Sequence, residues 1–136
     1  MNLAEIPLFA MLKGRLGHLN ERQRLISQNV ANSDTPGFTP TDLKAYSFQA
    51  QMKTQMTQVA TQAVTQAGHM APAERKSTAF KPIKAKDSET TLDGNSVVLE
   101  EEMLKMAEAR MNYDAAIGFY QKSLGMLRMA SRGPRG

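Results

Sequence analysis

The chain has 136 residues, a formal net charge of +4 and no cysteine, so disulfides, a thiol nucleophile and a cysteine-based zinc site are all excluded. Hydrophobic residues make up 41% and aromatic residues 6% of it, one domain's worth of material with little to fill a large core, which argues against a compact enzyme. The positive excess is mild and concentrates only at Lys122, Arg128, Arg132 and Arg135, where it suits the negative end of a helix dipole better than a nucleic-acid surface.

The first predicted element is a helix. From Phe9 onward, Leu12, Leu16, Leu19, Ile26 and Val30 recur in a three-four alternation, with Gln23 in the remaining place, which is the pattern of a coiled-coil seam. Leu3, Ile6, Leu8, Met11 and Leu25 lie off that stripe and give the helix a second apolar surface, so more than one neighbour is implied. Pro7 suits the start of the regular helix. Gly14 and Gly17 each cost about 1 kcal/mol relative to alanine and point to close backbone approach or a bend. The opening residues lack the basic region and the small-residue cleavage site of a secretory signal, and no apolar run reaches the length of a membrane span. A soluble or peripheral chain, with no direct membrane span, is expected.

The helix runs into NVANSDTPGF, Asn29 to Phe38. Asn32 tolerates the left-handed conformation that ends many helices, and Ser33 and Asp34 can bond nearby backbone groups. Pro36 fixes its own φ and pushes Thr35 out of the helical region, Gly37 supplies the positive φ of a type II turn, and Phe38 leaves as an apolar hook. Asn29, Ala31, Asn32, Thr35, Pro36, Gly37 and Phe38 are the residues of this helix end and turn singled out as a candidate motif, to which the family resemblance given below assigns an assembly role.

Residues 39–95 form a polar middle segment. Residues 49–67 are dominated by Gln, Thr and Ala, with Met52, Met56, Val59 and Ala63 at the spacing of a weak helix. Residues 68–93 carry Pro72, Pro82 and many charges, which predicts an extended, solvated connection with room for a short β-hairpin.

Asp93, Gly94 and Asn95 form a turn, and a second long helix follows Ser96 with Glu100, Glu101 and Glu102 in its first turns, where acidic residues favour the helix dipole. Leu99, Met103, Met106, Tyr113, Ile117, Tyr120, Leu124 and Leu127 make its seam, with Arg110 the one charged intruder. Leu104, Ala107, Met111, Ala115, Phe119, Met126 and Met129 make another apolar face, while Gly118 and Gly125, one heptad apart, permit close approach. SRGPRG ends the helix.

The expected fold is all-α: two long terminal heptad helices, each roughly 45 Å long, paired antiparallel and joined by a flexible polar middle. Segments 1–38, 39–95 and 96–136 make one structural domain. Such a hairpin is marginal alone, so folding and assembly are expected to be coupled. No catalytic set is present. His18 reads as a helix-surface or packing residue and not a ligand, His69 lies in an unrelated context, and consecutive glutamates splay around a helix instead of converging on a metal or a proton. No cofactor or metal is expected.

NVANSDTPGF, LDGNSVVLEEEM and MNYDAAIGFYQKSLGMLRMA together resemble the axial family of flagellar rod and hook proteins, over about residues 9 to 48 and 92 to 131. LDGNSVVLEEEM and the short chain resemble its proximal rod members, since a large β-rich insertion has no room here. The resemblance implies a non-catalytic subunit of the bacterial flagellum basal body that self-assembles through its terminal helices into the drive shaft. It implies export by the type III export apparatus without a cleaved signal, and assembly in the periplasmic space. The implied partners are other rod subunits, the basal adaptor protein and the membrane ring of the motor, with no nucleic acid. A second proximal rod protein of the same family, and a helical adaptor or chaperone for exported proteins, are the alternative readings.

Overall fold

The computed structural model describes residues 6–47, 49, 50, 53 and 80–133. Helix α1 spans Pro7–Ala31, strands β1 and β2 span Thr41–Leu43 and Pro82–Lys84, and helix α2 spans Leu99–Arg132. Proline sits at the first helical position of α1, where its missing N–H costs nothing, and α2 opens with Glu100, Glu101 and Glu102 in its first turn. The helices run antiparallel, because Phe9 meets Tyr120 edge-on at 5.3 Å while Asn29 bonds Glu102 at the opposite end.

The fold is mostly helical but not all-α. β1 and β2 pair antiparallel, with Thr41 opposite Lys84, Asp42 opposite Ile83 and Leu43 opposite Pro82. This is not a hairpin within residues 68–93: the strand that follows the TPGF turn recruits one from the far side of the middle segment. At the end of the middle segment, Asp93 and Asn95 of the expected turn bond the TPGF turn itself. The expected weak helix over Met52, Met56, Val59 and Ala63 lies outside the described residues.

The helix contact is also placed differently from the seam of large side chains. On α1, Phe9, Leu12, Leu19, Leu25 and Ile26 are buried, while Leu16 and Val30 are half-buried. On α2 the buried line is Glu102, Ala109, Ala116 and Ser123, a strict heptad of one acid and small residues. Large side chains from α1 thus meet short ones on α2, which lets the helices close together. Leu99 and Met103, expected in the seam, are exposed, and Met106, Tyr113, Ile117, Tyr120, Leu124 and Leu127 flank the contact half-buried. A heptad counted on large apolar residues finds the flanks and misses the centre.

At the end of α1 the chain turns without a left-handed residue. Asn32 has φ −103° and ψ 17°, and its N–H and side-chain amide both bond the Gln28 carbonyl, so an ordinary conformation ends the helix. Gly37 has φ +72°, and the Phe38 N–H donates to the Thr35 carbonyl at 3.2 Å, the geometry of the expected type II turn. A second tight loop, with Gly94 at φ +84°, lies against it. The Gly37 N–H donates to Asp93 O at 2.9 Å and the Ser96 N–H to Phe38 O at 3.0 Å.

A Cβ on Gly94 would sit 3.3 Å from the Gly37 Cα, whereas one on Gly37 meets open space. Both positions carry the cost of about 1–2 kcal/mol for a side chain at positive φ. Gly94→Ala is therefore expected to lower the melting temperature more than Gly37→Ala, read by far-UV circular dichroism. Equal losses would show that the two loops do not touch.

Candidate functional site

The turn becomes a joint through three buried polar side chains, Asn29, Asn95 and Glu102, exposed by 1%, 2% and 0%. Asn29 lies in the last turns of α1 and its amide faces Thr41 as a neighbouring strand would. Its Oδ1 accepts from the Thr41 N–H at 3.0 Å, and its Nδ2 donates to Thr41 O at 2.8 Å and to Glu102 Oε2 at 3.0 Å. One side chain therefore holds α1, β1 and α2 together.

Asn95 does the same for the turn. Its Nδ2 donates to Asn32 O at 2.9 Å and Thr35 O at 2.7 Å, and its Oδ1 accepts from the Val97 N–H at 2.9 Å. Two carbonyls of the turn that follows α1 thus gain a second donor from the loop that leads into α2. Within the motif, Asn32 and Phe38 are half-buried, while Ala31, Thr35, Pro36 and Gly37 remain exposed. Thr35 Oγ1 adds a bond to Asn32 Oδ1 at 3.2 Å. Asn29 was legible as part of the motif; Asn95, Asp87, Glu102 and Lys105 were not. The i,i+3 spacing of Glu102 and Lys105 was a signal for the last pair, although it is equally common on solvated faces.

Behind Asn29 lies a charged cluster. Lys105 Nζ donates to Asp87 Oδ1 at 2.7 Å and Glu102 Oε1 at 3.0 Å, and Asp87 Oδ2 accepts from the Val98 N–H at 2.8 Å, which caps α2 from another part of the chain. Both carboxylate side chains are inaccessible to solvent. Burial is the strongest influence on Glu102 and pushes its carboxyl above the ordinary glutamate range, beyond what Asn29 and Lys105 restore. Burial acts the same way on Asp87, but Lys105, the Val98 N–H and Glu102 outweigh it and hold that aspartate low. Burial would lower the Lys105 ammonium; its two carboxylate partners raise it instead.

Of the two readings left open for His18, surface or packing, the structure has packing, with the residue buried. Its Nε2 lies 2.8 Å from Lys44 O, and its ring meets Tyr46 at a tilt and Phe80 edge-on. Arg22 binds Asp42 at 3.1 Å and fastens β1 to α1 a second time. Among the described residues no cluster of three or more His, Asp or Glu is placed to hold a metal, and no helix is long and apolar enough to cross a membrane.

The outer face of α2 is apolar and uncovered in the single chain. Leu104, Met111, Phe119, Met126 and Met129 are between 50% and 72% exposed. No Cβ at Gly118 or Gly125 would meet anything within 4 Å. The arrangement is thus a polar, closed joint at one end and an open hydrophobic face along the second helix.

No family model matches the chain. Among curated proteins it is similar to the "Flagellar basal body rod protein FlgB" of Agrobacterium fabrum, at 31% identity over 119 residues, covering 83% of this chain and 84% of that protein.

Asn29→Ala removes the partners of two part-buried backbone groups and of a buried carboxylate, and is expected to cost about 3 kcal/mol in chemical denaturation. A loss below about 1 kcal/mol would mean that the joint does not depend on this amide. The cluster also predicts a pH dependence. Because the folded Glu102 holds its proton more tightly than the unfolded one, that contribution is complete below about pH 4.5 and is lost as pH rises through the raised value. The lowered Asp87 contributes with the opposite sign: its part is present above about pH 3.8 and lost as pH falls through the folded value. Glu102→Gln should therefore gain stability relative to the unmodified chain as pH rises from 4.5 towards neutrality, measured by thermal melts. A constant difference across that range would show that Glu102 titrates normally.

Proposed function

Because this chain belongs to the family of the flagellar basal body rod protein FlgB, we propose that it is a structural subunit of the proximal rod and not an enzyme. It assembles with its neighbours through the outer faces of α1 and α2 into a shaft that transmits torque. The observation that carries this reading is the uncovered face of α2, where Leu104, Met111, Phe119, Met126 and Met129 present large apolar side chains at helical spacing. Methionine is unbranched and polarizable, so such a face can pack against neighbours that are not identical to one another. The partners are other rod subunits, the basal adaptor protein and the membrane ring, reached after type III export into the periplasmic space.

A shaft loads its subunits in shear, and the joint supports that role. Apolar contacts alone resist sliding weakly because they carry no direction, whereas the hydrogen bonds of Asn29, Asn95 and Glu102 hold one register between the two helices. The face that assembles and the joint that holds it are separate parts of the chain.

Phe119 is 51% exposed, so Phe119→Asp is expected to leave the helicity of the isolated chain unchanged while abolishing incorporation into purified basal bodies and swimming. Wild-type incorporation of that variant would remove α2 from the assembly surface. Closed one-to-one complexes with another exported protein, seen by size-exclusion chromatography with light scattering, would favour an adaptor or chaperone instead.

A further inference from the structure

The two-stranded sheet has one edge closed and one open. Both backbone groups of Thr41 are taken by the Asn29 amide, so they point away from β2. The Ala85 N–H donates to Pro40 O at 2.9 Å, one step along the same ladder. Hydrogen-bonded and non-hydrogen-bonded pairs alternate in an antiparallel ladder, which makes Thr41 and Lys84 a non-hydrogen-bonded pair. The N–H and C=O of Lys84 therefore point outward, and neither has a partner among the described residues. All of β2 is exposed.

The chemistry around this edge has one sign. Residues 81–86 read KPIKAK, with Lys81, Lys84 and Lys86 exposed and no acid among them. None of the three forms an ion pair among the described residues. Beside the strand lies a cavity of about 430 Å³, lined by Leu43, Tyr46, Phe80 and Ile83 together with His18 and Lys81. Edge lysines deter pairing with a second basic strand, and by the same Coulomb argument they favour an acidic one.

We propose that the outer edge of β2 is a strand-addition site for an extended acidic segment of a partner protein. The segment's backbone bonds the outward N–H and C=O of Lys84, its carboxylates lie against Lys81, Lys84 and Lys86, and an apolar side chain enters the cavity beside Phe80 and Ile83. The site does not depend on the assembly face of α2, so it stands apart from the rod reading.

The test uses the full chain and a short capped peptide alternating glutamate with valine, with a lysine–valine peptide as control, followed by fluorescence anisotropy and amide exchange. The acidic peptide is expected to bind at least about tenfold more tightly than the control and to protect the Lys84 amide. Lys84→Pro removes the outward N–H without touching the ladder bonds of Ala85, and should weaken binding about tenfold. Lys84→Gln loses the same charge but keeps the N–H, and should weaken it only about threefold. Equal weakening by both would reduce the site to a charge patch, and no binding of the acidic peptide would mean that the lysines keep the edge closed. Either result overturns the proposal. Protection of the Ala85 amide reports whether each variant keeps the sheet. If Lys84→Pro loses it, the pair Lys81→Glu and Lys86→Glu decides, expected to reverse the preference towards the lysine–valine peptide; failure to reverse would overturn the proposal.

Discussion

The side-chain amide of Asn29 is the interaction on which the rest of the structure depends. It completes β1 as a strand would, and it reaches across to Glu102 on the second helix. Register between two helices is poorly specified when the contact is made by alanine and serine, because short side chains interlock weakly. Here the directional bonds supply what the packing lacks. The heptad of Ala109, Ala116 and Ser123 brings the helices close, and the polar joint decides where along their length they stop.

A buried carboxylate is a costly way to set register. Taking Glu102 out of water costs several kcal/mol, and only a full set of partners offsets it. The set is present: Asn29 on one oxygen, Lys105 on the other, and Asp87 sharing the lysine while capping α2. Because each member is satisfied by residues from a different part of the chain, the loop after β2, the end of α1 and the start of α2 are fastened as one unit. Breaking any member exposes the others to the same desolvation cost.

The two ends of the molecule are accordingly different in kind. The turn end is closed by backbone hydrogen bonds between Gly37 and Asp93 and between Phe38 and Ser96. Along α2, by contrast, Leu104, Met111, Phe119, Met126 and Met129 leave half or more of their surface exposed. On the proposed reading, such a subunit would bring a preformed joint to the rod and have its hydrophobic face completed by neighbours, coupling part of its stability to partner concentration. The open edge of β2 offers a second, chemically distinct surface, basic where the α2 face is apolar.

The amino-acid sequence alone determined the two helices, their ends and the turn between α1 and β1, because these depend on local properties: apolar periodicity, Pro7 at a helix start, and a proline–glycine pair that few conformations accommodate. It also showed a second apolar face on α2, which the structure leaves largely exposed, whereas Leu25, expected on a second face of α1, is buried within the chain. What it misread, Asn32 as a left-handed cap and Leu99 and Met103 as seam, were choices that local preference permits and tertiary contacts overrule. Only the folded chain decided that β1 pairs with β2, that Ala109 and Ala116 mark the helix contact, and that Asn95, Glu102, Asp87 and Lys105 complete the joint. The residues of TPGF were visible from the start as a turn with a fixed direction. That the turn is held by an asparagine and a glycine loop near the far helix depends on contacts about 60 residues apart in the chain, a distance over which no local pattern carries information.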